Sequence, residues 1–195
     1  MSEHRSAKHQ SVPVAKLTVP VDEHRDHIQG APNAAVTLVE YGDYQCPYCG
    51  AAYPIVKRVQ QSIGEPLRFV FRNFPLTQMH PHAEFAAELA ESAGSHGKFW
   101  EMHDFIYEHQ SSLDQPEVFL RFGQERLGLD TGVLENAIAQ HTFLERIRDD
   151  FMSGARSGVN GTPTFYIDGV RHDGSFDFET LSSALRAALA ERRKT

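Results

Sequence analysis

Cysteine is almost missing from this sequence, with two in 195 residues. That excludes a disulfide scaffold, which needs several bridges to replace a small core. It also leaves a four-ligand structural zinc site short of thiolates. No apolar run reaches transmembrane length, so membrane insertion is not expected. Basic excess is missing as well: 19 Lys and Arg stand against 26 Asp and Glu, for a formal net charge of -7. Nucleic acid and anionic membrane are therefore poor candidates as partners. The first twenty residues, with Glu3, His4, Arg5, Lys8, His9 and Lys16, lack the apolar centre of a signal peptide. The expected compartment is the cytosol, or an extracytoplasmic one if a leader has been removed. Internal repeats and low-complexity tracts are absent. What remains is 41% hydrophobic and 23% charged, the balance of a soluble globular protein with one substantial core and room for an insertion.

The two cysteines are neighbours, in Tyr44-Gln45-Cys46-Pro47-Tyr48-Cys49-Gly50. The run before them, Val36 to Tyr41, reads as a buried strand, and the residues from Pro47 onward read as a helix. Pro47 suits the first helical position, where a missing N–H costs nothing. Cys46 then sits on the helix N-terminus, where free backbone N–H groups and the macrodipole favour thiolate over thiol. Cys49, one turn on, is within reach of a disulfide and more sheltered. An exposed, acidified sulfur beside a second thiol is the minimum equipment for dithiol–disulfide exchange. Two other readings stand beside it. Half a zinc site would need further Cys or His ligands, and His80 and His82 only flank a proline. An inert staple would close a very short loop and remove little entropy from the unfolded chain.

Residues 1–30 are polar, rich in His and interrupted by Pro13 and Pro20, and are expected to form a flexible arm with a short strand over 15–19. Its histidines, His4, His9, His24 and His27, read as a solvated tail rather than metal ligands. Ile55, Val56, Val59 and Ile63 share one helical face, with Pro54 inside and Gly64 as the stop. Residues 67–74 alternate as a second strand, and the right-handed crossover rule makes the two strands parallel. From His80 to Ser157 only helical faces recur, broken at Gly94, Pro116, Gly128 and Gly158. Thr164 to Ile167 is a strand, Asp168-Gly169 a hairpin turn into residues 170–172, and a last helix carries Phe178, Leu181, Leu185 and Leu189. The pattern is an α/β fold of βαβ, a helical insertion, then ββα.

Five blocks in this order carry a resemblance: residues 36–43, Cys46-Pro47-Tyr48-Cys49, Arg72-Asn73-Phe74-Pro75-Leu76, residues 97–104 and residues 158–165. Over 33–190 the chain resembles the DsbA-like branch of the thioredoxin superfamily. The resemblance implies a thioredoxin-like fold over 31–78 and 156–195, an inserted all-helical domain over 79–155, and thiol–disulfide oxidoreductase activity. Cys46 and Cys49 would be catalytic and no cofactor beyond that redox-active pair would be needed. Partners would be thiol- or disulfide-containing proteins or peptides, together with an unidentified partner that recycles the pair. Pro163 matches the family's cis-proline, and Thr162 before it would face Cys46. Glu40, on a strand read as buried on both faces, lies six residues before Cys46, where the family keeps a buried acid. Burial would raise its pKa and let it relay a proton for Cys49, whereas an ordinary strand-end glutamate would reach solvent. Tyr48 would be partly exposed and touch substrate, with Asp43 and Tyr44 at the rim. Phe99, Trp100 and Tyr107 read as core and His103 as packed. Arg72 would make a surface pair with an acid such as Glu84. The absence of a heptad seam leaves a monomer as the expected state. A glutathione-binding transferase or isomerase of the same fold, and a redox-sensing or metal-holding module without enzymatic activity, are the competing functions.

Overall fold

The computed structural model describes residues 15–194. His4 and His9 lie outside them. A five-stranded sheet is ordered β1-β3-β2-β4-β5, where β1 is His27–Gln29, β2 Val36–Gly42, β3 Leu67–Asn73, β4 Thr164–Ile167 and β5 Val170–His172. The helix α1, Pro47–Ile63, connects β2 to β3. Those two strands pair in parallel, Val36 opposite Leu67 through Gly42 opposite Asn73, as the crossover rule requires. β4 runs antiparallel to β2, with Glu40 opposite Phe165. Asp168 and Gly169 both have positive φ, at 48° and 80°. They form the two-residue turn whose twist matches a hairpin.

Between β3 and β4 come α2 (Ala83–Gly94), α3 (Phe99–Glu108), a 3-10 turn (Gln110–Ser112), α4 (Pro116–Leu127), α5 (Thr131–Ala139) and α6 (Leu144–Ser157); α7 (Phe178–Arg192) closes the chain. The breaks obey the backbone chemistry read from the sequence. Pro116 opens α4, and Gly128 and Gly158 take left-handed conformations after α4 and α6.

β2 is buried along its whole length, so its alternation serves two cores. Val36 and Leu38 face a large cluster with α1, α7 and the helices α2 to α5. Val39 and Tyr41 face a smaller one with Val70, Phe74 and Tyr166, covered by Phe151 of α6 and by Leu17 and Val21.

Residues 15–30, the described part of the flexible arm expected over 1–30, are tied to the sheet. β1 pairs antiparallel with β3, Lys16 bridges to Val170, and Leu17 N–H donates to Gly169 O. His27 belongs to no solvated tail: it stacks on Phe99 at 3.5 Å between ring centroids and bonds Glu91 at 2.9 Å. Arg72 is corrected too. It is fully buried and paired with Asp26 rather than Glu84, because the second face of β3, which its alternation presents as polar, is roofed by residues 17–26 and α6. Its Nε and Nη2 donate to the two Asp26 oxygens at 2.8 and 2.9 Å. The remaining donors reach Tyr41 Oη, Val19 O and Pro20 O, so every guanidinium N–H has an acceptor.

Candidate active site

Cys46 is the N-cap of α1 and Pro47 its first helical residue. Its side chain closes no capping hydrogen bond, but the backbone N–H groups of Tyr48 and Cys49 at the helix start favour its charged form. The Cys46 pKa falls from 9.0 to about 5. The hydrogen bond from the Cys49 thiol contributes most; partial burial opposes it, and the Thr162 side chain and the two backbone N–H groups add to the fall. Cys49 shifts the other way, well above its ordinary value, through burial first and then the same hydrogen bond, in which it is the donor. Burial and helix position thus split two identical thiols into an acidified one and a proton-bearing one. Both are free thiols.

The sulfur of Cys46 is less open than the sequence suggests. Cys46 keeps 4% of its surface against none for Cys49, because the loop before β4 lies over it. Cys46 Sγ is 3.3 Å from Thr162 O, and the Thr162–Pro163 peptide is cis. A carbonyl can accept from the thiol but repels the thiolate. The Thr162 hydroxyl, whose oxygen is buried with no hydrogen-bond partner among the described residues, contributes to the lowered Cys46 pKa and is the donor available to the ionised form. Tyr48, at 66% exposure, stands out from the turn beside it.

Glu40 is buried, with its carboxyl on the same face of β2 as Val36 and Leu38 and therefore toward α1. Desolvation, with the charge of Cys46 second, raises its pKa to about 8, so at neutral pH it carries a proton. Its charge is felt at Cys49 as well. His103 is buried, bonds Tyr44 Oη at 2.9 Å, and has its pKa pushed well down by burial. It is a neutral packing residue, in contact with Trp100 and Tyr107.

Asp43 and Tyr44 do not rim the site; both are buried. Asp43 Oδ1 accepts from Gln45 N–H at 2.8 Å and Cys46 N–H at 3.2 Å. Its own N–H donates to Cys49 Sγ at 3.4 Å. The helical insertion reaches the turn through Gln110, whose Nε2 donates to Tyr44 O and Cys46 O at 2.8 and 2.9 Å. A Cβ on Gly50 would sit 2.4 Å from Gln110 Oε1, so a glycine after the second cysteine is what lets that side chain in. The local Asp43–Gln45 contact is legible in the sequence as an Asx turn; the Gln110 contact, sixty-odd residues away, has no local signal.

For a metal site the pair has little to offer. Among the described residues, the His, Cys, Asp and Glu ligand atoms close enough to share an ion are those of Glu84, Glu88 and His141, and neither cysteine is in that group.

The arrangement has relatives. Over 180 residues the chain is 45% identical to a Salinispora arenicola protein named Na(+)/H(+) antiporter NhaA 1, an alignment covering 92% of this chain and 27% of that one. The chain thus spans about a quarter of the length of such curated relatives. Among solved structures, Pseudomonas aeruginosa DsbA2 superposes with a TM-score of 0.65 at 28% identity, covering 87% of this chain and 95% of that one. Oxidised BdbD from Bacillus subtilis reaches a TM-score of 0.79 at 20% identity over 91% and 97% of the two chains, a likeness of fold. A family model described as Thioredoxin matches residues 22–187. That match settles the kinship: the chain belongs to the thioredoxin family, in its DsbA-like branch.

Proposed function

We propose that the protein is a thiol–disulfide oxidoreductase that exchanges disulfides with protein or peptide thiols through Cys46 and Cys49. One observation carries the reading: two thiols one helical turn apart are driven to opposite protonation states, Cys46 to a pKa of about 5 and Cys49 well above its ordinary value. In the oxidising direction a substrate thiolate attacks Cys46 Sγ of the disulfide and Cys49 leaves as a thiolate. Glu40, protonated at neutral pH, would supply the proton that Cys49 takes up. A second substrate thiolate then attacks the substrate sulfur of the mixed disulfide. The substrate leaves oxidised, and both electrons remain on the reduced pair. In reverse, the Cys46 thiolate attacks a substrate disulfide and expels a substrate thiolate; Cys49 then gives its proton to Glu40, which must first have released its own to solvent, and attacks Cys46 Sγ to resolve the intermediate.

A low-pKa Cys46 stabilises the reduced form and so favours the oxidising direction, since the leaving thiolate is the better stabilised one. Thr162 and Pro163 supply the surface against which the substrate's sulfur is presented, and Tyr48 the exposed contact. The substrate would be a peptide segment rather than glutathione alone, and the pair would be recycled by a separate redox partner. The relatives' antiporter name belongs to proteins in which the shared portion is 27% of the length, and the reading concerns that portion only. No helix among the described residues is long and apolar enough to cross a membrane.

The test is a redox titration against glutathione with insulin reduction as the activity. Cys46→Ser should abolish exchange and Cys49→Ser should accumulate mixed disulfides. Full insulin reduction by the Cys46→Ser protein would end the proposal. Glutathione binding to saturation with no redox turnover would move it to the transferase reading.

A further inference from the structure

Asp43 takes no part in the exchange steps, yet it is the most heavily bonded side chain around the redox turn. Two of its contacts, from Gln45 and Cys46 N–H to Oδ1, lie within the turn. Two more come from the loop between β3 and α2: Leu76 N–H donates to Oδ2 at 2.8 Å, and His80 Nδ1 lies 2.7 Å from the same oxygen. An ionised carboxylate can only accept, so Nδ1 of His80 carries a hydrogen. Four donors converge on two oxygens. The backbone N–H of the same residue holds Cys49 Sγ. An asparagine could satisfy one side of this arrangement and would turn an N–H toward donors on the other.

We infer that Asp43 is a positioning residue for thiol exchange, fastening the first turn of α1 to the β3–α2 loop so that the Cys46 thiolate keeps its hydrogen-bond donors. The inference rests on the reading of Cys46 and Cys49 as a redox pair. The link is geometric. The Cys49 thiol and the N–H groups of Tyr48 and Cys49 favour the thiolate. Where those donors point depends on the backbone at Cys46, whose N–H is fixed by Asp43 O and Oδ1. The Cys49 sulfur is fixed by Asp43 N–H. A negative charge here would by itself oppose a thiolate, but four donors, one on an imidazole, disperse it. Glu40, Tyr44 and Tyr107 are ionisable groups nearby; burial, the largest effect on each, keeps all three protonated at neutral pH.

The test compares wild type, Asp43→Ala, Asp43→Asn and His80→Phe. Its readouts are the Cys46 thiolate absorbance across pH and the equilibrium constant with glutathione. Losing a charge-assisted hydrogen bond is worth about tenfold in an equilibrium constant. Asp43→Ala is therefore expected to weaken Cys46 ionisation about tenfold and to make the couple less oxidising by a similar factor. Asp43→Asn should move both less, because it keeps the bonds of one side, and His80→Phe less again but in the same direction. A purely structural aspartate would lower the melting temperature and leave both readouts where they were, which overturns the inference. A shift toward easier ionisation also overturns it, since the charge would then outweigh the geometry. If Asp43→Ala does not fold, the Asn and Phe variants decide. A wild type inert toward glutathione would instead sink the redox reading itself.

Discussion

Asp26 and Glu40 are both acids packed against the central sheet, and the molecule treats them in opposite ways. The Asp26 carboxylate meets Arg72, whose place in the β2–β3 ladder is opposite Tyr41, one residue beyond Glu40 opposite Phe71. Burial alone would raise its pKa, but the hydrogen bonds and charge of Arg72 outweigh it and the net shift is downward. Glu40 faces the other side of the sheet, and no hydrogen bond or ion pair joins its carboxyl to another described residue. Desolvation acts there unopposed. A buried acid with a complete set of donors is part of the scaffold; one left without them stores an affinity for a proton. The sheet keeps its scaffold charge on the face under α6 and its proton-holding group on the face beneath the cysteines.

The sharpest way to break this contrast is to remove the partner. Arg72→Met should leave Asp26 buried without its counter-charge and take the guanidinium donors away from Tyr41, Val19 and Pro20. The expected loss is about 3–5 kcal/mol by urea unfolding at neutral pH. Adding Asp26→Leu should return much of it, because an apolar pair of similar volume avoids the desolvation cost. A single-variant loss below about 1 kcal/mol, the range of exposed pairs, would show that the pair is not structural.

Glu40 tests the other half. Its folded pKa of about 8 lies above its ordinary 4.5. Between those values the unfolded chain gives up a proton that the native state keeps. The stability due to the protonated acid is full below pH 4.5 and is lost as pH rises through 8. Glu40→Gln does not titrate, so its stability relative to wild type should climb across that window, by on the order of 2–4 kcal/mol. Melting temperatures of the two proteins as a function of pH check this, and parallel curves would contradict it. Resolution by Cys49 should slow in the same variant if the proton relay holds.

A smaller effect is expected at the sulfurs. The largest contribution to the acidity of Cys46 is the hydrogen bond from Cys49. In Cys49→Ala the thiolate should form about one pH unit higher, the value of one ordinary hydrogen bond, as read by ultraviolet absorbance. An unchanged titration would assign the acidity to the helix terminus alone.

These contrasts also mark what can be read from the chain. The two-cysteine turn, both parallel strands, the hairpin and the helical insertion are legible because their signals are local: Pro47 after Cys46, Gly64 as a stop, Asp168-Gly169 between short strands. The burial of Glu40 is legible from its apolar neighbours. Arg72 is not. Alternation along β3 puts it on the polar face, and only residues 17–26 and α6, distant in sequence, turn that face into a second core. Residues 15–30 are hard to read for the same reason, since their order comes from bonds to Arg72 and Gly169, the packing of Leu17 and Val21 and one short edge strand rather than from periodicity. Asp43 and Tyr44 look like turn residues and are folded inward by partners at His80 and His103.

The smallest effect calibrates the scale. Lys98 and Glu101 form an ion pair at 3.1 Å, with both side chains about half as exposed as they could be, at 40% and 46%. Lys98 is the N-cap of α3 and Glu101 lies in its first turn. The helix dipole therefore favours the glutamate and disfavours the lysine that holds it. The attraction across three residues is worth about 0.2–0.5 kcal/mol and is weakened by salt. A double-mutant cycle over Lys98→Ala and Glu101→Ala should give a coupling in that range, with Glu101→Ala alone the costlier single change. If the exposed pair instead coupled as strongly as Asp26 and Arg72, burial would not be what gives the Asp26–Arg72 pair its weight in the scaffold.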